Sequence, residues 1–195
     1  LAVSSRAALW EIGVLARRIA QTAGEKGKAE TLFTAGLLHD IGKFLLDEYC
    51  HVDYRRVLEH VVQNHTSLID AERAVLKTDH CAVARELMTR WKLPGSLVDY
   101  AASHHLTLLS LEREAVADKR GASMIALANL YAPLLETGYS GHDRLYDIES
   151  GWFKAVGLNT AALNDIASDF EKDLHMVLDF LGAADLKEHY KPATA

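Results

Sequence analysis

The stretch Ala35-Gly36-Leu37-Leu38-His39-Asp40-Ile41-Gly42-Lys43 decides how the rest of this chain is interpreted. It places an adjacent His-Asp pair behind apolar and small residues and in front of a glycine and a lysine. Imidazole nitrogen and carboxylate oxygen are both good ligands for a divalent ion. The apolar residues before the pair predict a packed, partly dry environment, in which charge interactions are strong. The stretch therefore indicates a functional site, although a His-Asp pair alone is also compatible with a cap and a solvated charge.

The apolar pattern around this stretch predicts helices. A first helix is expected from about Ser5 to Ala23, because apolar residues recur there at helical spacing and Gly24 follows. A second helix is expected to start near Ala29 and to end around His39 and Asp40. Adjacent residues on a helix point about 100° apart. The pair can therefore share one ion most easily at a helix end, where the backbone turns.

Lys43 follows the His-Asp pair and leaves three alternatives open. Its ammonium group could pair with Asp40, or it could reach a phosphate as a mobile point charge. It could equally be a solvated lysine beside a helix terminus.

Three further histidines lie near predicted helix ends. Asp79 is expected to cap a helix that runs to Trp91, which places His80 in the first turn. The helix dipole opposes a cation there, so His80 should be neutral, and neutral imidazole is the form that binds metals. Its position alone favours the alternative, an ordinary polar residue in the first turn of a helix. His104 and His105 are expected at the C-terminus of the next helix, where dipole complementarity alone could also explain them.

The remaining helices are predicted from caps and apolar faces. Asp53 is expected to cap a helix, Ser67 opens the next one as part of a capping box, and Thr160 is expected to cap the last long helix. The apolar face of the helix after Asp53 is predicted to comprise Val57, Leu58, Val61 and Val62. The apolar face of the last helix is predicted to comprise Leu163, Ile166, Phe170, Leu174, Val177 and Leu181.

Composition limits the possible classes of protein. A chain of 195 residues suits one domain, with 49% hydrophobic residues to build a core and 25% charged residues. The formal charge of -6 is spread along the chain, so we expect no nucleic-acid partner. No apolar run approaches the roughly 18 residues that span a bilayer, so we expect no membrane segment. Cys50 and Cys81 lack metal or redox spacing, which predicts a reducing, cytoplasmic location.

The stretch from Leu37 to Lys43 resembles the signature of the HD superfamily, which implies metal-dependent phosphohydrolases and their relatives. The segments Asp79-His80-Cys81 and Ser103-His104-His105 resemble the later histidine segments of its HDOD branch, which implies a bacterial signalling domain. The resemblance covers about residues 9–135. It implies a metal site formed by His39, Asp40, His80, His104 and His105, with Asp40 and Lys43 as the catalytic residues if the domain is active.

Two positions depart from the family pattern. The resemblance implies a histidine on the first helix and an aspartate on a later one, where this chain has Ile12 and Asn129. An amide is a poor substitute for a carboxylate on a divalent cation. The acid and Gly-Tyr-Pro signature of HD-GYP hydrolases is also missing after His105, so hydrolysis of cyclic dinucleotides receives no support.

The sequence therefore predicts an all-α, compact, multi-helix HD-like domain, with a core over residues 1–135 and a C-terminal helical extension over 136–195 packed on the same domain. The predicted function is that of a regulatory HDOD-like signalling domain with a degenerate metal site, which acts mainly by binding another protein. The alternative is a metal-dependent phosphohydrolase acting on a nucleotide or another phosphoester. The expected cofactor is a divalent transition metal (Fe, Mn, Zn or Ni), held weakly or at partial occupancy.

Overall fold

A computed structural model describes residues 4–135, 150–180 and 182 of the chain. These residues form α-helices and two short 3-10 helices, and they contain no strand. Residues 136–149 lie outside the described residues. The α-helices are α1 (Ser4–Thr22), α2 (Ala29–Leu38), α3 (Ile41–Tyr49), α4 (His51–Asn64), α5 (Leu68–Leu76), α6 (His80–Arg90), α7 (Gly95–Ala102), α8 (Leu108–Arg113), α9 (Lys119–Tyr131), α10 (Ser150–Val156) and α11 (Thr160–Phe180). The predicted all-α fold is confirmed.

The main core is built around α1, which packs against α2, α9 and α11. Residues 11–16 of this helix are all buried, as are Ile19 and Ala20, so α1 is covered on most sides in its middle part. Its large buried side chains include Ile12, Leu15 and Ile19. Two glycines let α1 and α2 approach closely. A methyl group on Gly36 would lie 2.5 Å from the Cα of Gly13, so a larger residue there would force the helices apart. This contact is one turn before His39 and sets the path of the chain into the site.

A second, smaller core lies between α3, α4 and α5. Its members are Leu46, Tyr54, Val57, Leu68 and Ala71. The predicted apolar face of α4 is partly wrong, because Val62 is exposed and Leu58 is largely exposed. The buried side of α4 runs through Tyr54 and Val57, so a tyrosine takes the place that the pattern assigned to aliphatic residues.

The capping predictions have mixed outcomes. The side chains of Ser67 and Asp79 accept hydrogen bonds from backbone N–H groups in α5 and α6, which confirms both caps. Asp53 lies within the first turn of α4 and bonds Arg56, so its predicted role as a cap is wrong. The prediction that Thr160 caps the last helix is wrong, because Thr160 is the first residue of α11 and the cap is Asn159, whose Oδ1 accepts from the N–H of Ala162.

Two helix ends differ from the sequence prediction. Helix α6 ends at Arg90, and Trp91 after it is 55% exposed instead of packed on the helix face. Helix α7 ends at Ala102, so His104 and His105 follow the helix in a turn and are not its last residues. The turn matters because it aims both rings back towards α2.

The last helix has the predicted apolar face over most of its length. Leu163, Ile166, Phe170 and Leu174 are buried, while Leu178 takes the inward position further along and Leu181 lies outside the described residues. Arg18 of α1 donates from Nε to Asp173 of α11 at 2.7 Å, which ties this helix to the main core. Among the described residues, no helix is long and apolar enough to cross a membrane.

Helix α3 meets the N-terminus of α6 at Gly42. A methyl group on Gly42 would lie 2.0 Å from the backbone oxygen of His80, which is far inside van der Waals contact. Only glycine lets the two backbones approach this closely. The contact places Asp40, at the start of α3, beside the ring of His80 at the start of α6.

Candidate metal centre

The five predicted ligand residues come together at the ends of four helices. His39 and Asp40 occupy the two-residue junction between α2 and α3, His80 opens α6, and His104 and His105 follow α7. The donor atoms of Asp40, His80, His104 and His105 all lie within 4.8 Å of one another. His39 lies against this group, with its Nε2 3.3 Å from Oδ2 of Asp40 and its ring centroid 4.7 Å from that of His104.

The hydrogen bonds of three histidines assign their tautomers. Nδ1 of His39 donates to the carbonyl of Gly36 at 2.6 Å, and Nδ1 of His104 donates to the carbonyl of Ala101 at 2.7 Å. A carbonyl can only accept, so the ring proton lies on Nδ1 and Nε2 carries a lone pair. Nδ1 of His80 likewise donates to the carboxylate of Glu72 at 2.6 Å.

In the neutral rings, the Nε2 lone pairs of His80 and His104 therefore face one small region beside Oδ1 of Asp40, while Nε2 of His39 lies beside Oδ2. Nε2 of His80 and Nε2 of His104 are 3.3 Å apart, and they lie 3.6 and 3.4 Å from Oδ1 of Asp40. Two lone pairs at that separation repel each other unless a cation lies between them. Burial is the main reason that the pKa of His104 falls to about 3, so this ring stays neutral near pH 7.

Asp40 supplies the negative charge of the cluster. Burial on its own would raise the pKa of this carboxyl, but neighbouring positive charge, which includes that of Lys43, holds it well below its usual range. Nζ of Lys43 donates to Oδ2 at 2.7 Å, and this lysine is itself buried. Of the three alternatives for Lys43, pairing with Asp40 is therefore the one observed. Oδ1 is buried and makes no well-formed hydrogen bond with the part of the chain that the structure describes.

This donor set fits a divalent transition metal. The donors that can reach one ion are the imidazoles of His80, His104 and His105 and a carboxylate oxygen of Asp40, whose Oδ1 lacks a hydrogen bond. This combination is suited to Zn, Fe, Ni and Mn. Ligand atoms of an ion with bonds of about 2.1 Å lie roughly 3.4 Å apart in a tetrahedral site. The separations among Oδ1 of Asp40, Nε2 of His80 and Nε2 of His104 are already 3.3 to 3.6 Å, and no separation in the group of four donors exceeds 4.8 Å. When bound, such an ion would act as a Lewis acid on water and phosphate oxygen.

A model of the HDOD domain family matches residues 5–107. The chain belongs to the HDOD domain family. The matched range contains every one of the five predicted ligand residues, so the resemblance inferred from the motifs is confirmed. No curated protein matches the chain.

Two solved structures have the same fold. An HDOD domain protein of unknown function from Geobacter sulfurreducens shares 21% identity, with a TM-score of 0.75 over 90% of this chain and 61% of its own. A "putative phosphohydrolase" from Shewanella amazonensis SB2B shares 17% identity, with a TM-score of 0.67 over 90% of this chain and 63% of its own. The chain thus spans about three fifths of each of these proteins.

The two positions at which the resemblance implied other residues are buried. Ile12 is 1% exposed, and its backbone lies beside Gly36 on the path into the site. Asn129 is buried on α9, a helix that contacts both α2 and α7, and it lies outside the range matched by the family model. Neither side chain can supply the imidazole or the carboxylate that the resemblance implied there.

Sequence reasoning did not identify Glu72 of α5, which lies behind His80 in this HDOD domain. Its side chain is fully buried and accepts hydrogen bonds from His80 and from Tyr54. One signal could have found it. Glu72 is four residues after Leu68 and therefore lies on the same face of α5 as a core residue, where a charged residue needs a specific partner.

Proposed function

We propose that this chain is a regulatory HDOD domain of a bacterial signalling protein, which holds one divalent transition metal and acts by binding another protein. The observation that carries the proposal is the closed character of the cluster. The His80 and His104 side chains are 0% exposed, and Asp40 is 15% exposed and already paired with Lys43. A site of this kind suits an ion that holds α2, α3, α6 and α7 together.

Turnover would need more than this site offers. Metal-assisted hydrolysis requires an ion with an open position for water or substrate and enough charge to bind it in a reactive state. Ile12 and Asn129 remove one imidazole and one carboxylate from the family pattern. Lys43 also offsets the charge of Asp40, the one carboxylate in the group of donors that can reach a common ion. These features support a structural or regulatory ion.

The proposal extends to the setting of the protein. Both cysteines have free thiols, which is the usual state in a reducing cytoplasm. The expected partner is another protein of a signalling pathway, because the formal charge of -6 is spread along the sequence and gives no support to a nucleic-acid partner.

Metal analysis and an enzyme assay test the proposal together. Protein purified without chelator should contain up to one equivalent of a transition metal, and Asp40→Ala should remove it. The loaded protein should not hydrolyse nucleotides, cyclic dinucleotides or simple phosphoesters. Asp53→Ala is the matched control, because Asp53 is an exposed carboxylate at another place in the fold. Metal-dependent turnover that disappears in Asp40→Ala, with an unchanged circular dichroism spectrum, would overturn the proposal.

The second candidate is a phosphohydrolase, favoured by one observation. Nζ of Lys43 lies 2.7 Å from Asp40, so a cation adjoins the carboxylate at the edge of the cluster. In an active site Asp40 would hold the ion and Lys43 would contact a phosphate oxygen. Lys43→Met should then abolish turnover while leaving metal content unchanged, which separates this candidate from the regulatory one.

A further inference from the structure

Glu72 is a buried carboxylate directly behind the metal centre. Its side chain is 0% exposed, and a carboxylate removed from water is costly unless its oxygens are hydrogen-bonded. Both oxygens are hydrogen-bonded. Oε2 accepts from the backbone N–H of His80 at 2.8 Å and from Nδ1 of the same residue at 2.6 Å, and Oε1 accepts from the hydroxyl of Tyr54 at 3.2 Å.

The two bonds to His80 fix both the place and the tautomer of this residue. The backbone bond holds the first turn of α6, and the ring bond sets the rotation of the imidazole. Because the carboxylate accepts a hydrogen bond from Nδ1–H, the lone pair on Nε2 faces Oδ1 of Asp40, 3.6 Å away. A carboxylate hydrogen-bonded to the far nitrogen of a histidine ligand also raises the basicity of that ligand.

Tyr54 extends this arrangement into α4. It is fully buried in the second core. Burial is the main cause that raises the pKa of its hydroxyl, and the negative charge of Glu72 is the second, so the hydroxyl stays protonated and remains a donor. The chain of contacts runs from Tyr54 on α4 through Glu72 on α5 to His80 on α6.

We infer that Glu72 is a positioning residue for the metal centre, which holds His80 with its proton on Nδ1 and is itself oriented by Tyr54. The effect of Glu72 on the ring of His80 stands on hydrogen bonds within the protein. Its effect on metal affinity rests on the proposed function. The two can be measured separately.

The first measurement is made on metal-free protein. Two-dimensional 1H–15N NMR of the histidine rings at pH 7 reports which nitrogen carries the proton. Wild-type protein should show His80 with Nδ1 protonated and Nε2 bare. Glu72→Met removes the acceptor and should leave a mixture of tautomers, while Glu72→Gln keeps a weaker, neutral acceptor and should give a smaller shift in the same direction.

The second measurement is a cobalt(II) titration followed by visible absorption. The affinity of Glu72→Gln should fall by about 10- to 100-fold with a changed d–d spectrum, and that of Tyr54→Phe should fall less. Asp118→Asn is the matched control, because Asp118 also accepts from a tyrosine hydroxyl (Tyr100, 2.6 Å) and a backbone N–H at a helix start (Gly121, 3.0 Å). It should lower stability without changing cobalt affinity or spectrum.

The outcomes separate the two ideas. A wild-type tautomer of His80 in Glu72→Met, or in Glu72→Gln if the first variant does not fold, would overturn the positioning role. Unchanged cobalt affinity and spectrum in Glu72→Gln would overturn it as well. If wild-type protein bound no cobalt but Glu72 still controlled the tautomer, the metal proposal would fail and the positioning role would stand.

Discussion

Substitution of Gly42 by alanine should show whether the close contact between α3 and α6 sets the position of the metal ligands. The added methyl group would lie 2.0 Å from the backbone oxygen of His80, and ordinary contact begins near 3.4 Å. Helix α3 and the start of α6 must therefore move apart by about 1.4 Å. Backbone atoms meet here, so no side-chain rotation can relieve the clash.

The expected magnitude has two opposing parts. Alanine is better than glycine inside a helix by about 1 kcal/mol. Overpacking of a tight contact costs typically about 1 to 3 kcal/mol, and a backbone clash belongs at the upper end. The free energy of unfolding should therefore fall by about 2 kcal/mol. Asp40 and His80 lie on the two sides of this contact, so the movement also displaces ligands, and metal affinity should fall by about tenfold or more, as it does when a group that orients a ligand is lost.

Urea denaturation and cobalt titration measure both effects. Gly95→Ala is the matched control, because Gly95 is also helical and a methyl group there meets nothing within 4 Å. This control should leave cobalt affinity unchanged and stability unchanged or up to about 1 kcal/mol higher. If Gly42→Ala equals wild type in both measurements, the α3–α6 contact does not set the position of the ligands.

Three further outcomes follow from the structure. Burial raises the pKa of Asp118, but Lys28, Tyr100 and a backbone N–H outweigh it and lower this pKa, so Asp118 stabilises the fold above its unfolded pKa and loses that contribution as pH falls through its folded pKa. The free energy of unfolding of Asp118→Asn, measured with urea, should lie about 1 to 3 kcal/mol below that of wild type at pH 7, and the difference should shrink as the pH falls below about 4. Lys92 has φ of 58° after α6, so Lys92→Gly should raise the free energy of unfolding by about 0.5 to 1 kcal/mol in the same assay. Cobalt at 100 times its dissociation constant should stabilise wild-type protein by about 2.7 kcal/mol and Asp40→Ala by nothing, as measured by thermal unfolding with and without metal.

Local patterns predicted the elements that depend on local physics. Ser67 and Asp79 were identifiable as caps because a cap needs one side chain and the two or three N–H groups that follow it. The error at α4 has a different origin. Its sequence places apolar residues on more than one side, and which side is buried depends on where α5 and α3 lie, so Val62 is exposed and Tyr54 is buried.

The histidines of the site also differ in whether local sequence or the wider fold determines the orientation of their rings. His39 and His104 lie at or just after the ends of helices, where the last carbonyls have no partner within the helix. Each therefore finds an acceptor three residues earlier in the chain, at Gly36 and Ala101. The orientation of these two rings is a local property of a histidine that follows a helix.

His80 is in the opposite situation, because it opens α6 and has no helical turn before it. The groups without partners at a helix start are N–H donors, which cannot accept a hydrogen bond from the Nδ1–H of a histidine. An acceptor must come from elsewhere in the fold, and Glu72 of the preceding helix supplies it together with the acceptor for the backbone N–H. A histidine ligand at a helix start thus requires a non-local acceptor, whereas one that follows a helix does not. The same rule explains why motif spacing identified His80 and could not identify the residue that holds it.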